Sequence, residues 1–130
     1  MKLVTFSCGG RERIGAVDDR DRIVDLHRAY GEYLRTVDRH PAANAHAAAV
    51  LGSDMCGFLA RGEPALEAAR AALGFAQRRD AGSALFTDRS SVRLLAPVPR
   101  PGALISAGKN FSDHVAEMSS RKGPAAPVAF

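Results

Sequence analysis

The stretch KLVTFSCGGRERIGAVDDRDRIVDL, residues 2–26, decides the fold class of this 130-residue chain. It contains three short runs rich in β-forming side chains, separated by turn-forming glycines and aspartates. Alternating side chains that meet a glycine pair and then return are typical of a β-hairpin. The sequence therefore predicts a small antiparallel β meander, with strands at 2–8, 13–17 and 22–26 and turns at 9–10 and 18–21.

A helical pattern follows the meander from His27 to about Gln77. Its clearest part is GEPALEAARAALGFAQRR at 62–79, where Pro64 suits the first turn and two final arginines complement the helix dipole. The apolar stripe predicted for this helix is Leu66, Ala69, Leu73 and Ala76. Before it we predict a helix at 27–37 and an alanine-rich segment from Pro41, broken at 52–53, with Ser53 or Asp54 capping the next turn.

The sequence PRPG at 99–102 interrupts the regular patterns, and we interpret it as a domain boundary. A polar connection at 80–91 and a strand at 92–98 precede it, and the apolar run ALISAG at 103–108 predicts a buried strand after it. The predicted fold class is α+β. A small antiparallel β meander with helices occupies a domain over 1–98, and the first strand and helix of a second domain follow over 99–130.

Charge and composition exclude several classes of protein. The net charge is +4, but the arginines are interspersed with acids rather than clustered, so we expect no nucleic-acid partner. The chain begins with a predicted strand rather than a signal peptide, and no run approaches the roughly 20 apolar residues of a membrane span. We therefore expect a soluble, cytoplasmic protein with no membrane partner. Cys8 and Cys56 form no motif and are expected to be reduced and buried.

Two other groups of titratable residues resemble metal ligands only superficially. Aspartates at 18, 19 and 21 are explained by turn chemistry without an ion. His27, His40 and His46 lack the i, i+4 spacing of ligands on a helix. We interpret these histidines as surface or capping residues.

The segment GKNFSDHVAEM at 108–118 carries the chemistry that stands out most in the chain. On a helix that begins near Asn110 or Ser112, His114 and Glu117 lie on one flank, one turn apart. Spacing alone leaves two interpretations open. Glu117 can pair with Arg121 at a solvated helix start, or it can orient His114 as a catalytic acid–base pair.

Several of these motifs occur in an order that resembles the fumarylacetoacetate hydrolase family. They are MKLVTFSCGGRERIGAV, RIVDL, LLAPVPRPG, ISAGKNFSDHVAEM and the final PAAPVAF. The most specific is the pattern G-x-N-[YF]-x-D-H-x-x-E after a P-x-P break and an apolar strand. Phe111 stands where Tyr is commoner, so any role of that hydroxyl is lost.

This resemblance implies a catalytic domain built as a mixed β-roll, in a homodimer that acts on small 1,3-dicarbonyl or 2-oxo acids. The implied reactions are hydrolytic C–C cleavage, decarboxylation, and related hydration and isomerisation. His114 and Glu117 match the family's acid–base pair, on a short lid helix. Lys109 and Asn110 are candidate substrate-binding residues, although a solvated lysine is the favoured explanation of Lys109.

The resemblance also implies a Mg²⁺ or Mn²⁺ ion held by carboxylates. The E-x-E and Asp ligands and the catalytic lysine of the family are expected beyond Phe130. We therefore predict that this chain is the N-terminal domain and the start of the catalytic domain, inactive by itself. The alternative is a non-enzymatic module that folds or interacts with a partner.

Overall fold

The computed structural model describes residues 1–79 and 83–105. An antiparallel sheet carries four helices, which makes the fold class α+β as predicted. The strands are β1 (Lys2–Cys8), β2 (Arg11–Val17), β3 (Arg22–Asp25), β4 (Phe86–Asp88) and β5 (Arg93–Leu94). The helices are α1 (Leu26–Thr36), α2 (Ala43–Leu51), α3 (Met55–Ala60) and α4 (Glu63–Gln77), and a 3₁₀ turn spans Arg89–Ser91.

The sheet is built around the predicted meander. Its strand order is β4-β3-β2-β1-β5, and every neighbouring pair is antiparallel. Thr5 pairs with Ile14, and Ala16 pairs in turn with Val24, so these side chains share one face of the sheet. Ile14, Ala16 and Val24 are fully buried against the helices. The alternation in residues 2–26 therefore sets the register that buries this face.

Strand β4 was not predicted, because it lies inside the expected polar connection at 80–91. It is three residues long, too short to show an alternating pattern. Strand β4 is stabilised by its pairing with β3, in which Phe86 lies opposite Val24. The guanidinium of Arg22 also lies 3.7 Å from the centre of the Phe86 ring. A strand of this kind depends on a tertiary neighbour rather than on its own sequence.

The strand predicted at 92–98 is much shorter in the structure. Only Arg93 and Leu94 pair with β1, opposite Ser7 and Phe6. Pro97 has no backbone N–H to donate, so the ladder cannot continue through it. The strand predicted at 103–108 is also not formed over 103–105, where the chain is exposed and has no strand beside it among the described residues. Residues 106–108 lie outside the described part, and the predicted domain boundary stays a prediction.

The core is rich in alanine, as the composition suggested. Helix α4 buries Phe75 and five alanines towards α1 and the sheet: Ala65, Ala68, Ala69, Ala72 and Ala76. The predicted stripe faces the core: Ala69 and Ala76 are fully buried, and Leu66 and Leu73 pack against the core cluster while remaining partly exposed. Small side chains at the centre let the two helices approach closely, so the larger leucines lie at the borders.

Helices α1, α3 and α4 begin with residues that the capping rules favour, whereas α2 has no side-chain cap. Asp54 caps α3 by accepting from the backbone N–H of Gly57 at 2.9 Å, and Pro64 occupies the first turn of α4. Asp25 caps α1 by accepting from the N–H of Arg28 at 3.2 Å. The same buried carboxylate forms an ion pair with Arg13 on β2, so it ties the helix to the sheet.

The turn at 18–21 is organised by one carboxylate. Asp18 is buried and accepts hydrogen bonds from the backbone of Arg20 (3.0 Å) and Arg22 (2.8 Å), and from the Arg22 guanidinium at 2.7 Å. Burial by itself would raise the pKa of Asp18, but the bonds from Arg22 and Arg20 outweigh it and lower the pKa below its usual value. Turn chemistry thus accounts for Asp18, whereas the carboxylate of Asp21 pairs with Arg89.

We expect D18N to be destabilised at pH 7 and to approach the wild type in acid. A carboxylate whose pKa is lower in the folded state stabilises the fold above its ordinary pKa of about 4. That stabilisation disappears as the pH falls through the lowered pKa. The expected loss of unfolding free energy is about 1–3 kcal/mol at pH 7, measured by urea denaturation at pH 7 and pH 3. D19N, at the exposed neighbouring position, is the control, and an equal deficit of D18N at both pH values would contradict the assignment.

Among residues 1–79 and 83–105, no helix is both long and apolar enough to cross a membrane. Both cysteines are free. The prediction that they are buried is wrong for Cys8, which is exposed at the hairpin end of β1, and Cys56 on α3 is partly buried.

Candidate functional site

The four predicted site residues, Lys109, Asn110, His114 and Glu117, lie outside the described residues. What the structure does describe is the segment that leads towards them. Residues 95–100, which we call the strap, run back across the helix side of the sheet edge and end near α3. Lys109 follows Arg100 by nine positions, a reach of at most about 30 Å for extended chain.

The strap begins by continuing along β1. The N–H of Leu95 donates to the carbonyl of Thr5 at 2.9 Å, and the Thr5 hydroxyl donates to the carbonyl of Pro97 at 2.7 Å. Thr5 is 4% exposed, and a buried hydroxyl needs a hydrogen-bond partner within the protein, which here is the carbonyl of Pro97. Val98 then packs against the core cluster.

Arg100 ends the strap with two further contacts. Its carbonyl accepts from the thiol of Cys56 at 3.0 Å, and its guanidinium bonds both carboxylate oxygens of Glu12, at 2.5 and 3.3 Å. This hydrogen bond lowers the pKa of Glu12 and raises the pKa of Arg100. Both side chains are exposed at the surface, so the pair by itself is a weak link.

A cavity of about 60 Å³ lies under the end of the strap, lined by Asp54, Met55, Cys56, Pro99 and Arg100. The backbone N–H of Gly57 lowers the pKa of Asp54, with a smaller contribution from the charge of Arg100. This space is too small for a dicarbonyl acid, since ligand pockets have volumes of about 300 Å³ or more. It is a packing gap between strap and helix rather than a substrate site.

A larger open cleft of about 350 Å³ lies beside the start of α1, lined by Arg13, His27, Arg28, Asn44 and Ala48. Its two arginines are both near Asp25, and His27 Nε2 lies 2.7 Å from the carbonyl of Gly52. These groups hold α1 against β2 and against the end of α2. The cleft is therefore built by structural contacts.

His40 and His46 come together although their spacing did not predict it. Their ring centres are 4.7 Å apart at the start of α2, where His40 Nδ1 accepts from the N–H of Ala42 at 3.1 Å. Across the described ranges, no three His, Cys, Asp or Glu side chains lie together as a metal centre. The capping interpretation of His40 agrees with this contact.

Two curated proteins are similar to the chain. The mitochondrial oxaloacetate tautomerase Fahd2a of Rattus norvegicus is 41% identical over 80 residues, which cover 62% of this chain and 23% of the relative. Oxaloacetate tautomerase YisK of Bacillus subtilis is 28% identical over 134 aligned positions, which cover 100% of this chain and 40% of the relative. These similarities support the resemblance of the chain to the fumarylacetoacetate hydrolase family. No family model matches it.

The fumarylacetoacetate hydrolase family resemblance read from the motifs is thereby confirmed, although this chain spans less than half of the length of either relative. Both relatives are named for an isomerisation rather than for a hydrolysis. The hydrolase or lyase reaction, the metal ion and the homodimer that the resemblance implied stay predictions, as does the cytoplasmic location.

Sequence reasoning found no sign of the strap contacts. In the sequence, Glu12 is one of the acids interspersed with arginines, and Arg100 is part of the break at 99–102. The two are 88 positions apart, and a single sequence carries no signal for a pair at that separation. Thr5 fits the alternating pattern of β1, but its hydrogen bond to the carbonyl of Pro97 forms only because residues 95–100 run back beside β1.

Proposed function

We propose that the whole protein is an enzyme that interconverts the keto and enol forms of a small 2-oxo acid, with oxaloacetate as the first substrate to test. One observation carries this proposal: both curated relatives bear the name oxaloacetate tautomerase. The motif at 108–118 supports it, because it contains a histidine and a glutamate that fit proton transfer.

Tautomerisation requires only that a proton moves. In the keto form of oxaloacetate, a base removes a proton from C3, and the electron pair of that C–H bond forms the C2–C3 double bond. The former carbonyl oxygen takes up a proton and becomes the enol hydroxyl. No other bond breaks, and the reverse reaction uses the same groups with exchanged roles.

We assign the proton transfer at C3 to His114 and the orientation of its imidazole to Glu117. An imidazole exchanges protons readily near neutral pH, because its ordinary pKa is about 6.5. A carboxylate that accepts from one ring nitrogen leaves the other nitrogen as the base and stabilises the protonated ring. Lys109 and Asn110 are proposed to hold a substrate carboxylate through charge and hydrogen bonding.

The family resemblance also implied Mg²⁺ or Mn²⁺, and the described residues do not fit such an ion. They contain no group of three His, Cys, Asp or Glu side chains that could hold it. We therefore assign no ligand and no reaction step to a metal within residues 1–79 and 83–105. Carboxylate ligands for it remain a proposal for the rest of the whole protein.

A direct assay follows the decay of enol oxaloacetate by its ultraviolet absorbance, with pyruvate measured in the same samples. We expect the whole protein to accelerate the decay over the uncatalysed rate without forming pyruvate. Pyruvate formed in step with the decay would indicate decarboxylation instead. An unchanged decay rate would contradict the proposal.

One observation favours a second candidate, a folding or interaction module without catalysis. The described residues bury their own core, and the buried carboxylates of Asp25 and Asp18 serve a helix cap and a turn. The two candidates differ in the assay above. A non-catalytic module predicts no turnover in the whole protein, and no effect of His114→Ala beyond stability.

A further inference from the structure

The side chain of His40 holds the start of α2. Its Nδ1 accepts a hydrogen bond from the backbone N–H of Ala42 at 3.1 Å, and its own backbone N–H donates to the carbonyl of Leu34 at 2.9 Å. Ala42 is the N-cap residue of α2, and its side chain makes no cap hydrogen bond. The His40 ring therefore connects the loop after α1 to the first residues of α2.

This hydrogen bond requires a neutral imidazole. An Nδ1 that accepts from a backbone N–H presents its lone pair, so the ring proton lies on Nε2. A second proton would have to lie on Nδ1 and would point at the N–H of Ala42, so that two donors would face each other. Imidazole side chains take up such a second proton near physiological pH, because their ordinary pKa is about 6.5.

The positive charges around the ring oppose a further proton. Arg35 of α1 and Arg39 of the loop line the same cleft as His40. The ring of His46 on α2 lies 4.7 Å from the His40 ring, centre to centre. The N-terminus of α2 adds the positive end of a helix dipole.

Two acids of the same region are directed at other groups. The carboxylate of Glu32 on α1 pairs with the guanidinium of Arg35. Burial, together with the charge of Asp38, raises the pKa of Tyr30 on α1. Neither carboxylate bonds to His40, so a protonated ring would lose its bond to Ala42 and gain no carboxylate partner among the described residues.

The two ends of α2 are held by different packing. At the start, Ala43 and Ala47 pack with Leu34 in a small cluster that is separate from the main core. At the other end, Leu51 is fully buried in the main core. Alanine buries little apolar area, so the His40 bond matters more for the first turn of α2 than for its last turn.

We propose that His40 is a pH-sensitive switch at the junction of α1 and α2. The neutral ring holds the first turn of α2, and the protonated ring releases it, so this turn opens as the pH falls through the range in which imidazoles titrate. The end of α2 stays docked through Leu51. The switch goes beyond the proposed enzymatic function and does not depend on it.

Amide hydrogen exchange, resolved by residue, tests the switch. The reporting amides are that of Ala42, which donates to the His40 ring, and that of His46, which donates to the Ala42 carbonyl at 2.9 Å. We expect their protection, corrected for the intrinsic exchange rate at each pH, to fall about three- to tenfold from about pH 7.5 to about pH 5. The Gly52 amide, which donates to the Ala48 carbonyl at 3.0 Å, is the internal reference and should keep its protection.

Two variants separate the His40 ring from other effects of acid. In H40N, the side-chain oxygen can accept from the N–H two residues on at any pH, so the protection of Ala42 should not depend on pH. H46A leaves the His40 bond in place and should retain the loss of protection in acid. Three results would each overturn the switch: wild-type protection of Ala42 that does not change with pH, an equal loss in H40N, or a loss that disappears in H46A.

Discussion

Replacing His114 with alanine should lower kcat for oxaloacetate tautomerisation by about 10²- to 10⁴-fold in the whole protein. This range is the usual contribution of a positioned acid–base group, and alanine can neither accept nor return the C3 proton. E117Q should lower kcat less, because the amide still contacts the imidazole but no longer stabilises its charge. Steady-state kinetics on enol oxaloacetate measure both effects.

The control for this pair is H46A. His46 is exposed on α2 and belongs to no proposed site, so its removal tests whether any histidine loss affects turnover. We expect kcat of H46A to stay within about twofold of the wild type. Normal turnover in H114A would contradict the assignment of the acid–base pair, even if the reaction itself were confirmed.

Replacing Gly15 with valine should reduce the free energy of unfolding by more than about 3 kcal/mol, the largest stability effect that we expect for a single residue. Gly15 lies on β2, between the buried side chains of Phe6 and Ile23. A Cβ atom there would lie 2.7 Å from Ile23 Cγ2, 3.0 Å from the Phe6 ring and 3.1 Å from the Val24 carbonyl oxygen. None of these neighbours moves easily, because they are a branched side chain, a packed ring and backbone.

The matched control for Gly15 is Gly74→Ala on α4. Among the residues that the structure describes, a Cβ at Gly74 would meet only the Arg78 guanidinium, at an ordinary contact distance of 3.6 Å. Alanine is favoured over glycine in a helix, so G74A should be stabilised by about 0.5–1 kcal/mol. Urea denaturation followed by circular dichroism measures both variants. A G15V protein as stable as the wild type would contradict the close packing of Gly15 against Phe6 and Ile23.

Local patterns predicted the first half of the fold well. The meander, the cap at Asp54 and the Pro64 start of α4 depend on neighbours a few residues away, and the sequence shows those neighbours directly. Strand β4 was missed and β5 was predicted too long, because each depends on pairing with a strand more than 60 positions away. The alanine face of α4 was missed in part, because side-chain size at a helix contact depends on the partner helix.

The candidate site likewise has one part that the sequence predicts and one part that only the structure shows. His114 and Glu117 come from a motif and a family resemblance, so their roles stay predictions until they are tested. The strap comes from the structure, because its bonds join Thr5 to Pro97 and Glu12 to Arg100 across the domain. Spacing along one chain carries no signal for such pairs.

The central claim, that the protein moves a proton between carbon and oxygen of a 2-oxo acid, is tested most directly by deuterium incorporation at C3 of oxaloacetate. Proton NMR in heavy water follows the loss of the C3 signal with wild-type protein, with H114A and without protein. We expect the wild type to accelerate this exchange over both controls while the four-carbon acid stays intact. Exchange no faster than without protein, or a C3 signal that disappears only as pyruvate forms, would contradict the claim.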